Sequence, residues 1–153
     1  GTGGIYFFDG MKWQRMANRS RAHLQAVFAS DPSHVWAVGE KGTVLSYNGD
    51  SWRKIPAKTG RKLKGVFALD SSHVWVVGEG GFIAFFDGTS WERQDSGTRD
   101  DLNCVHGLDP ARVWAVGRNG TVLFFDGTEW TGQDTHVEID FNAVYAADPS
   151  HVR

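Results

Sequence analysis

A chain of 153 residues with 19 glycines, 7 tryptophans and only 4 prolines has the composition of short strands joined by tight turns, and 41 % apolar residues is enough for a packed core. No run approaches the roughly 18 apolar residues of a membrane-spanning helix, and the single Cys104 excludes an internal disulfide while leaving the compartment open. The net charge of −2 hides an asymmetry: residues 1–76 carry 11 Lys+Arg against 5 Asp+Glu, residues 77–153 carry 5 against 13, and all six lysines lie in the first part.

That asymmetry has two readings. It is drift of solvated positions, or it marks one basic and one acidic sector that would steer a charged partner or a second copy of the chain.

A repeat organises the whole sequence. Trp13, Trp52, Trp91 and Trp130 stand 39 residues apart, and Trp36, Trp75 and Trp114 keep the same step. So do Gly10, Gly49, Gly88 and Gly127, and Asp31, Asp70, Asp109 and Asp148. Repeats of this length mean a solenoid, an array or a propeller, and the grammar within the unit decides among them.

Taken in chain order, Gly1-Thr2-Gly3 aligns with Glu40-Lys41-Gly42, so residues 1–23 are expected to hold strands three and four of a unit. The unit at 24–62 is complete. LQAVFA (24–29), HVWAVG (34–39), TVLSYN (43–48) and WRKIPA (52–57) are four β-prone segments, separated by turns at DPSH, EKG and Asn48-Gly49-Asp50-Ser51. The units at 63–101 and 102–140 repeat it, and 141–153 supplies strand one (Phe141 to Ala146) and the start of strand two. No window sustains a 3.6-residue apolar period, so no helix is expected. Strand two is apolar at nearly every position (Val74, Trp75, Val76, Val77), as a strand covered on both faces must be.

Four short antiparallel strands in 39 residues is the content of one propeller blade. The expected fold is therefore all-β: a single domain over 1–153, a β-propeller of about four blades or a fragment of a larger one. The last strand two stops at Arg153, in the slot of Trp36, Trp75 and Trp114. This favours an excerpt of a longer propeller, with three complete blades and one divided between the ends, over a closed four-blade ring. An unpaired edge at residues 4–8 would invite self-association.

Gly3, Gly42, Gly81 and Gly120 share the end of the turn between strands two and three. The Asn-Gly and Asp-Gly pairs at 48–49, 87–88 and 126–127 favour the positive φ that tight hairpins need. The Asp of DPSH, DSSH, DPAR and DPSH is placed to accept backbone N–H groups two or three residues on. His34, His73 and His151 recur beside it, with Arg112 in the third copy, and recurrence at a turn marks a structural residue.

The segments VWAVGEKGTVLSYNGDSW, VWVVGEGGFIAFFDGTSW and VWAVGRNGTVLFFDGTEW resemble bacterial propeller repeats of the BNR or Asp-box-like superfamily, which includes sialidase-like proteins and photosystem II assembly and stability factors. The resemblance covers essentially the whole chain. It implies a propeller blade with the box in the turn between strands three and four, and an exported or cell-surface bacterial protein. The turns here read Phe-Asp-Gly-x-x-Trp, one residue shorter between Asp and Gly than the standard box. A sialidase needs an arginine cluster, a tyrosine nucleophile with a Glu partner and an acidic Asp. Tyr6, Tyr47 and Tyr145 have no recurring Arg arranged near them in sequence.

No stretch amounts to a catalytic or cofactor-binding signature. The six histidines form no Cys/His pair at ligand spacing, EGGFIAFFDG lacks the Lys of a P-loop, and no calcium-loop pattern is present. Cys104 takes the small-residue place of Ala26, Gly65 and Ala143, where packing accounts for it. Nucleic acid is not an expected partner, because the net charge is negative and the aromatics occupy repeat-core positions.

The leading expectation is a non-catalytic binding or interaction scaffold for a protein or glycan. The alternatives are part of a glycan-binding or glycan-hydrolysing sialidase-like protein, and a photosystem-assembly-factor-like chaperone. Binding is expected where the copies disagree, in the loops 17–23, 57–62, 96–101 and 135–140 and in the turns between strands two and three. The candidate surface residues are Arg19, Arg21, Lys41, Lys58, Arg61, Lys62, Lys64 and Arg118.

Overall fold

The computed structural model describes residues 3–148 and 150–153; Gly1 and Thr2 of the first expected turn and Pro149 of the last lie outside them. The chain is all-β. Three four-stranded antiparallel sheets stack in sequence: β3 (Leu24–Asp31), β4 (His34–Gly39), β5 (Val44–Tyr47) and β6 (Trp52–Lys54); β7 (Leu63–Asp70), β8 (His73–Gly78), β9 (Phe82–Phe86) and β10 (Trp91–Gln94); and β11 (Leu102–Asp109), β12 (Arg112–Gly117), β13 (Val122–Phe125) and β14 (Trp130–Gln133). Two hairpins flank them, β1 (Ile5–Phe8) with β2 (Trp13–Met16), and β15 (Ala146–Asp148) with β16 (His151–Val152). Each hairpin is a sheet of its own.

The apolar runs explain the stacking. Strand two is sealed on both faces: Val74, Val76 and Val77 are fully buried. Val74 and Val76 pack with Trp36, Val38 and Val44 of the preceding sheet, while Trp75, Val77 and Ile83 pack with Val105, Val113, Leu123 and Phe125 of the following one. Trp36 meets Phe86 and Trp91 edge-on at 5.6 and 6.4 Å. Trp114, expected to be buried like Trp36 and Trp75, is only half-buried. Among the described residues the sheet that follows it is the two-stranded β15–β16, whereas Phe86 and Trp91, which cover Trp36, belong to strands three and four of their sheet.

Strand-four tryptophans tie each sheet to the one before. Trp91 Nε1 donates to the Ile55 carbonyl at 2.9 Å and Trp130 Nε1 to Gln94 Oε1 at 2.8 Å. The fourth strands are shorter than the apolar runs suggest: β6 stops at Lys54, ahead of Pro56, which has no N–H for the ladder. The last strand one also departs from expectation. It begins at Ala146 rather than Phe141, because its partner reaches only to Arg153, where Tyr145 and Arg153 exchange backbone bonds of 2.6 and 2.8 Å.

At one end of the stack the Asp turns close as their chemistry requires. Asp31, Asp70, Asp109 and Asp148 each accept the N–H two residues on, at 2.7–3.0 Å. His34, His73 and His151 turn Nδ1 onto the same carboxylates at 2.7, 2.9 and 2.8 Å, and in the third copy the Arg112 guanidinium pairs with Asp109. Asp87 and Asp126 accept two N–H groups each in the hairpins between strands three and four. The Thr128 hydroxyl, then the Glu129 and Thr128 N–H groups, pull Asp126 down to about 2; Ser90 and Thr89 N–H groups lower Asp87, and the Ser33 and Ser150 hydroxyls lead the lowering of Asp31 and Asp148.

A carboxylate whose folded pKa lies below its unfolded value of about 3.9 contributes stability that is present above that value and lost as pH falls through the folded one. The thermal midpoint should therefore hold above about pH 5 and decline steadily toward about pH 2. A midpoint flat across that interval would show that these turns contribute nothing.

Candidate binding face at the blade loops

The opposite end carries the turns between strands two and three and the loops from strand four to the next sheet. These lie against one another. Glu40, Glu79 and Arg118 each donate a backbone N–H to the loop beside it, at the carbonyls of His23, Lys62 and Asp101, with lengths of 2.9–3.0 Å. Gly42 N–H bonds the Arg61 carbonyl at 2.8 Å and Gly120 N–H that of Ile139 at 2.7 Å. The result is a continuous rim of alternating turn and loop.

Besides the glycines that end the turns (Gly3, Gly42, Gly81 and Gly120, φ 55–71°), two further backbone positions per repeat on this rim are left-handed. In the turns they are Lys41 (φ 54°), Gly80 (62°) and Asn119 (53°); in the loops they are Arg19 (54°), Lys58 (52°), Gly97 (69°) and His136 (55°). A left-handed residue with a Cβ costs about 1 kcal/mol or more, which glycine avoids. The unit 63–101 uses glycine at both positions, so glycine satisfies the backbone. Its neighbours instead place Arg, Lys, His and Asn there, with side chains in solvent.

The eight candidate residues separate into two groups. Arg61, Lys64 and Arg118 are engaged: Arg61 Nη1 donates to the carbonyls of Glu79 and Gly80, both at 2.9 Å, Lys64 Nζ meets Asp101 Oδ2 at 2.8 Å, and Arg118 Nε lies 3.5 Å from Asp140. Lys64 reaches its partner from a β-bulge between Leu63 and Gly65, which re-aims its side chain toward the next sheet. Arg19, Arg21, Lys41, Lys58 and Lys62 make no ion pair among the described residues; all but the partly buried Lys62 are exposed.

Residues 15–21 line a notch on the rim, with Arg15, Arg19 and Arg21 around it. The repeat-equivalent notches are less basic: 93–98 with Gly81 holds Arg93 and Asp95, and 133–138 with Asn119 and Gly120 holds Asp134, His136 and Glu138.

Sequence reasoning by cations passed over the acids and amides that hold the rim. Asp101 takes the Gly80 N–H at 2.8 Å as well as Lys64, and Lys64 first, then that N–H, holds its carboxyl below the usual range. Asp100 accepts from Asn119 Nδ2 at 2.8 Å and Thr121 Oγ1 at 3.2 Å, and Asp140 from the Asn119 N–H at 3.1 Å. The signal for the left-handed sites was present in the repeat: glycine in one copy opposite Arg, Lys, His or Asn in the others. Nothing in the sequence announced the bridging acids, whose partners lie about 20 or more positions away.

Tyr47 donates its hydroxyl to the Gly49 carbonyl at 2.8 Å, so it serves the hairpin turn. Among the described residues no group of three or more His, Cys, Asp and Glu is gathered as a metal site would require, and no helix is long and apolar enough to cross a membrane.

No family model and no curated protein matches the chain. Among solved structures it is similar to YCF48 bound to D1 peptide, with 18 % identity and a TM-score of 0.71 over 88 % of this chain and 47 % of that one. It is also similar to YCF48 from Cyanidioschyzon merolae, with 18 % identity and a TM-score of 0.67 over 92 % and 53 %. The chain thus spans about half the length of these structures. What it shares with them is the fold, and the chain is a β-propeller, or a part of one, built of four-stranded antiparallel blades.

Proposed function

We propose that the chain is a non-catalytic propeller module that holds an extended, acidic protein segment on its loop face, in the manner of an assembly factor or chaperone. The observation that carries this reading is the set of left-handed cations, Arg19, Lys41 and Lys58, at positions where the unit 63–101 uses glycine. Their backbone strain brings no local structural return, so a ligand is the reason offered for it. The grading of the rim notches from three arginines to an acidic surface supports an acidic partner docked on the first two units. The peptide held by one YCF48 structure supports a protein rather than a glycan partner. The reading treats 1–153 as one propeller domain with units at 24–62, 63–101 and 102–140, within the broader Asp-box-like group of bacterial propellers.

The test is fluorescence anisotropy with acidic, neutral and basic peptides of one length. Acidic peptides should bind best, and less tightly as salt rises past about 0.15 M. Arg19→Gly with Lys58→Gly should weaken binding several-fold while leaving stability unchanged or raised by about 1 kcal/mol. Equal binding of all three peptides, or unaltered binding by the double variant, would overturn the reading. Retention on a glycan array in place of peptide binding would favour the glycan alternative.

A further inference from the structure

A cleft opens on the loop rim in the middle of the stack, between the sheet β3–β6 and the sheet β7–β10. Lys58 and Arg61 of the connecting loop, Phe82 and Ala84 of β9, and Trp91 and Arg93 of β10 line it. The floor is apolar. Phe82 and Ala84 are buried, and Trp91 is held in place by the bond from its Nε1 to the Ile55 carbonyl. The mouth is cationic, and no acid is among the described residues that line it. Arg93 lies over the Phe82 ring at 5.7 Å and makes no ion pair among the described residues.

Arg61 is set in advance for an anion. Its Nη1 donates to the carbonyls of Glu79 and Gly80, both at 2.9 Å, and these two bonds fix the plane of the guanidinium. A Cβ at position 80 would fall well inside 3.0 Å of that nitrogen, so glycine there makes room for it. The other edge, Nε–H with Nη2–H, has no acceptor among the described residues. Two parallel N–H groups of this kind match the two oxygens of a carboxylate.

Neither equivalent cleft has these parts. Arg61, Phe82 and Arg93 are replaced by Ala22, Thr43 and Lys54 one repeat earlier, and by Asp100, Thr121 and Gly132 one repeat later. The space measures about 220 Å³. That is below the roughly 300 Å³ at which small-molecule sites begin, so it suits the side chains of a bound chain rather than a metabolite.

We propose that this cleft is the anchor point of the segment held on the loop face, an inference that rests on the reading of that face as the seat of an acidic protein segment. An Asp or Glu carboxylate of the segment takes the free edge of Arg61, with Lys58 and Arg93 adding charge. An apolar side chain two positions away lies on Phe82 and Trp91, because alternate residues of an extended chain face the same side. The motif recognised is therefore an acid and an apolar residue separated by one position.

The test is fluorescence anisotropy with two capped peptides. One has a Glu-Ser-Leu-Ser-Glu core, and the other has Ser in place of the Leu at unchanged charge. The unaltered chain should bind the Leu peptide about tenfold more tightly or better, the gain for burying a leucine side chain. This comparison needs no variant, so folding does not enter it. Phe82→Thr, which installs the residue of the neighbouring units, should remove the preference and leave the Ser peptide as it was. Arg61→Lys keeps the charge but loses the paired donors, and should weaken both peptides about tenfold. Equal binding of the two peptides by the unaltered chain, or binding unmoved by Phe82→Thr and Arg61→Lys, would overturn the anchor and leave the acidic-segment reading standing. No binding of either peptide would overturn both.

Discussion

Trp75→Ala should lower the stability of the chain by about 3–5 kcal/mol, the range for truncating a buried large aromatic. The residue is 1 % exposed and lies at the centre of the stack. Within its own sheet it stands opposite Phe67 and Phe85, with ring centroids at 6.1 and 4.9 Å, and across the stack it meets Phe125 at 6.4 Å. These neighbours belong to short, well-paired strands, so they have little freedom to collapse into the space left behind. Among the described residues its Nε1 has no hydrogen-bond partner. The loss is therefore one of packing, and Trp75→Phe should recover much of it. For a chain of this size the alanine variant should melt roughly 10 °C lower. Trp114→Ala provides the contrast within the same repeat position: the residue is only partly buried, so its loss should cost clearly less. An unchanged midpoint for Trp75→Ala would remove the stacked-sheet account of the core.

Gly81→Ala should be nearly as damaging, for two separate reasons. Gly81 has φ of +69°, where a Cβ is strained, and a Cβ there would fall well inside 3.0 Å of the Thr98 carbonyl oxygen. The carbonyl belongs to the adjoining loop of the rim, so relief requires the turn and the loop to part. Strain and overpacking together put the cost on the order of 3 kcal/mol or more. Gly10 separates the two causes. It also has positive φ, +93°, but a Cβ there would meet nothing within 4 Å, so Gly10→Ala should cost only about 1 kcal/mol. Urea unfolding of both variants measures the difference. Equal losses would mean that conformation alone, and not the close approach of turn and loop, makes glycine necessary at 81.

The architecture of one blade is legible in the repeat alone. A period of 39, strands closed by Asp-Gly and Asn-Gly, and an apolar strand two require an antiparallel unit covered on both faces, because local turn chemistry and alternation leave no other arrangement. The roles of Asp31, Asp70, Asp109 and Asp148 as turn acceptors follow from the same local rules, since donor and acceptor lie two residues apart. Where the units meet becomes visible only in the packed chain. That Lys64 and Arg61 are bound to the next sheet while Lys41 and Lys58 are free in solvent depends on contacts between residues roughly 20 or more positions apart, to which the repeat pattern is blind. Trp36, Trp75 and Trp114 look alike as letters, yet only the first two are buried. Burial of that position is set by the following sheet, which after Trp114 is two-stranded among the described residues.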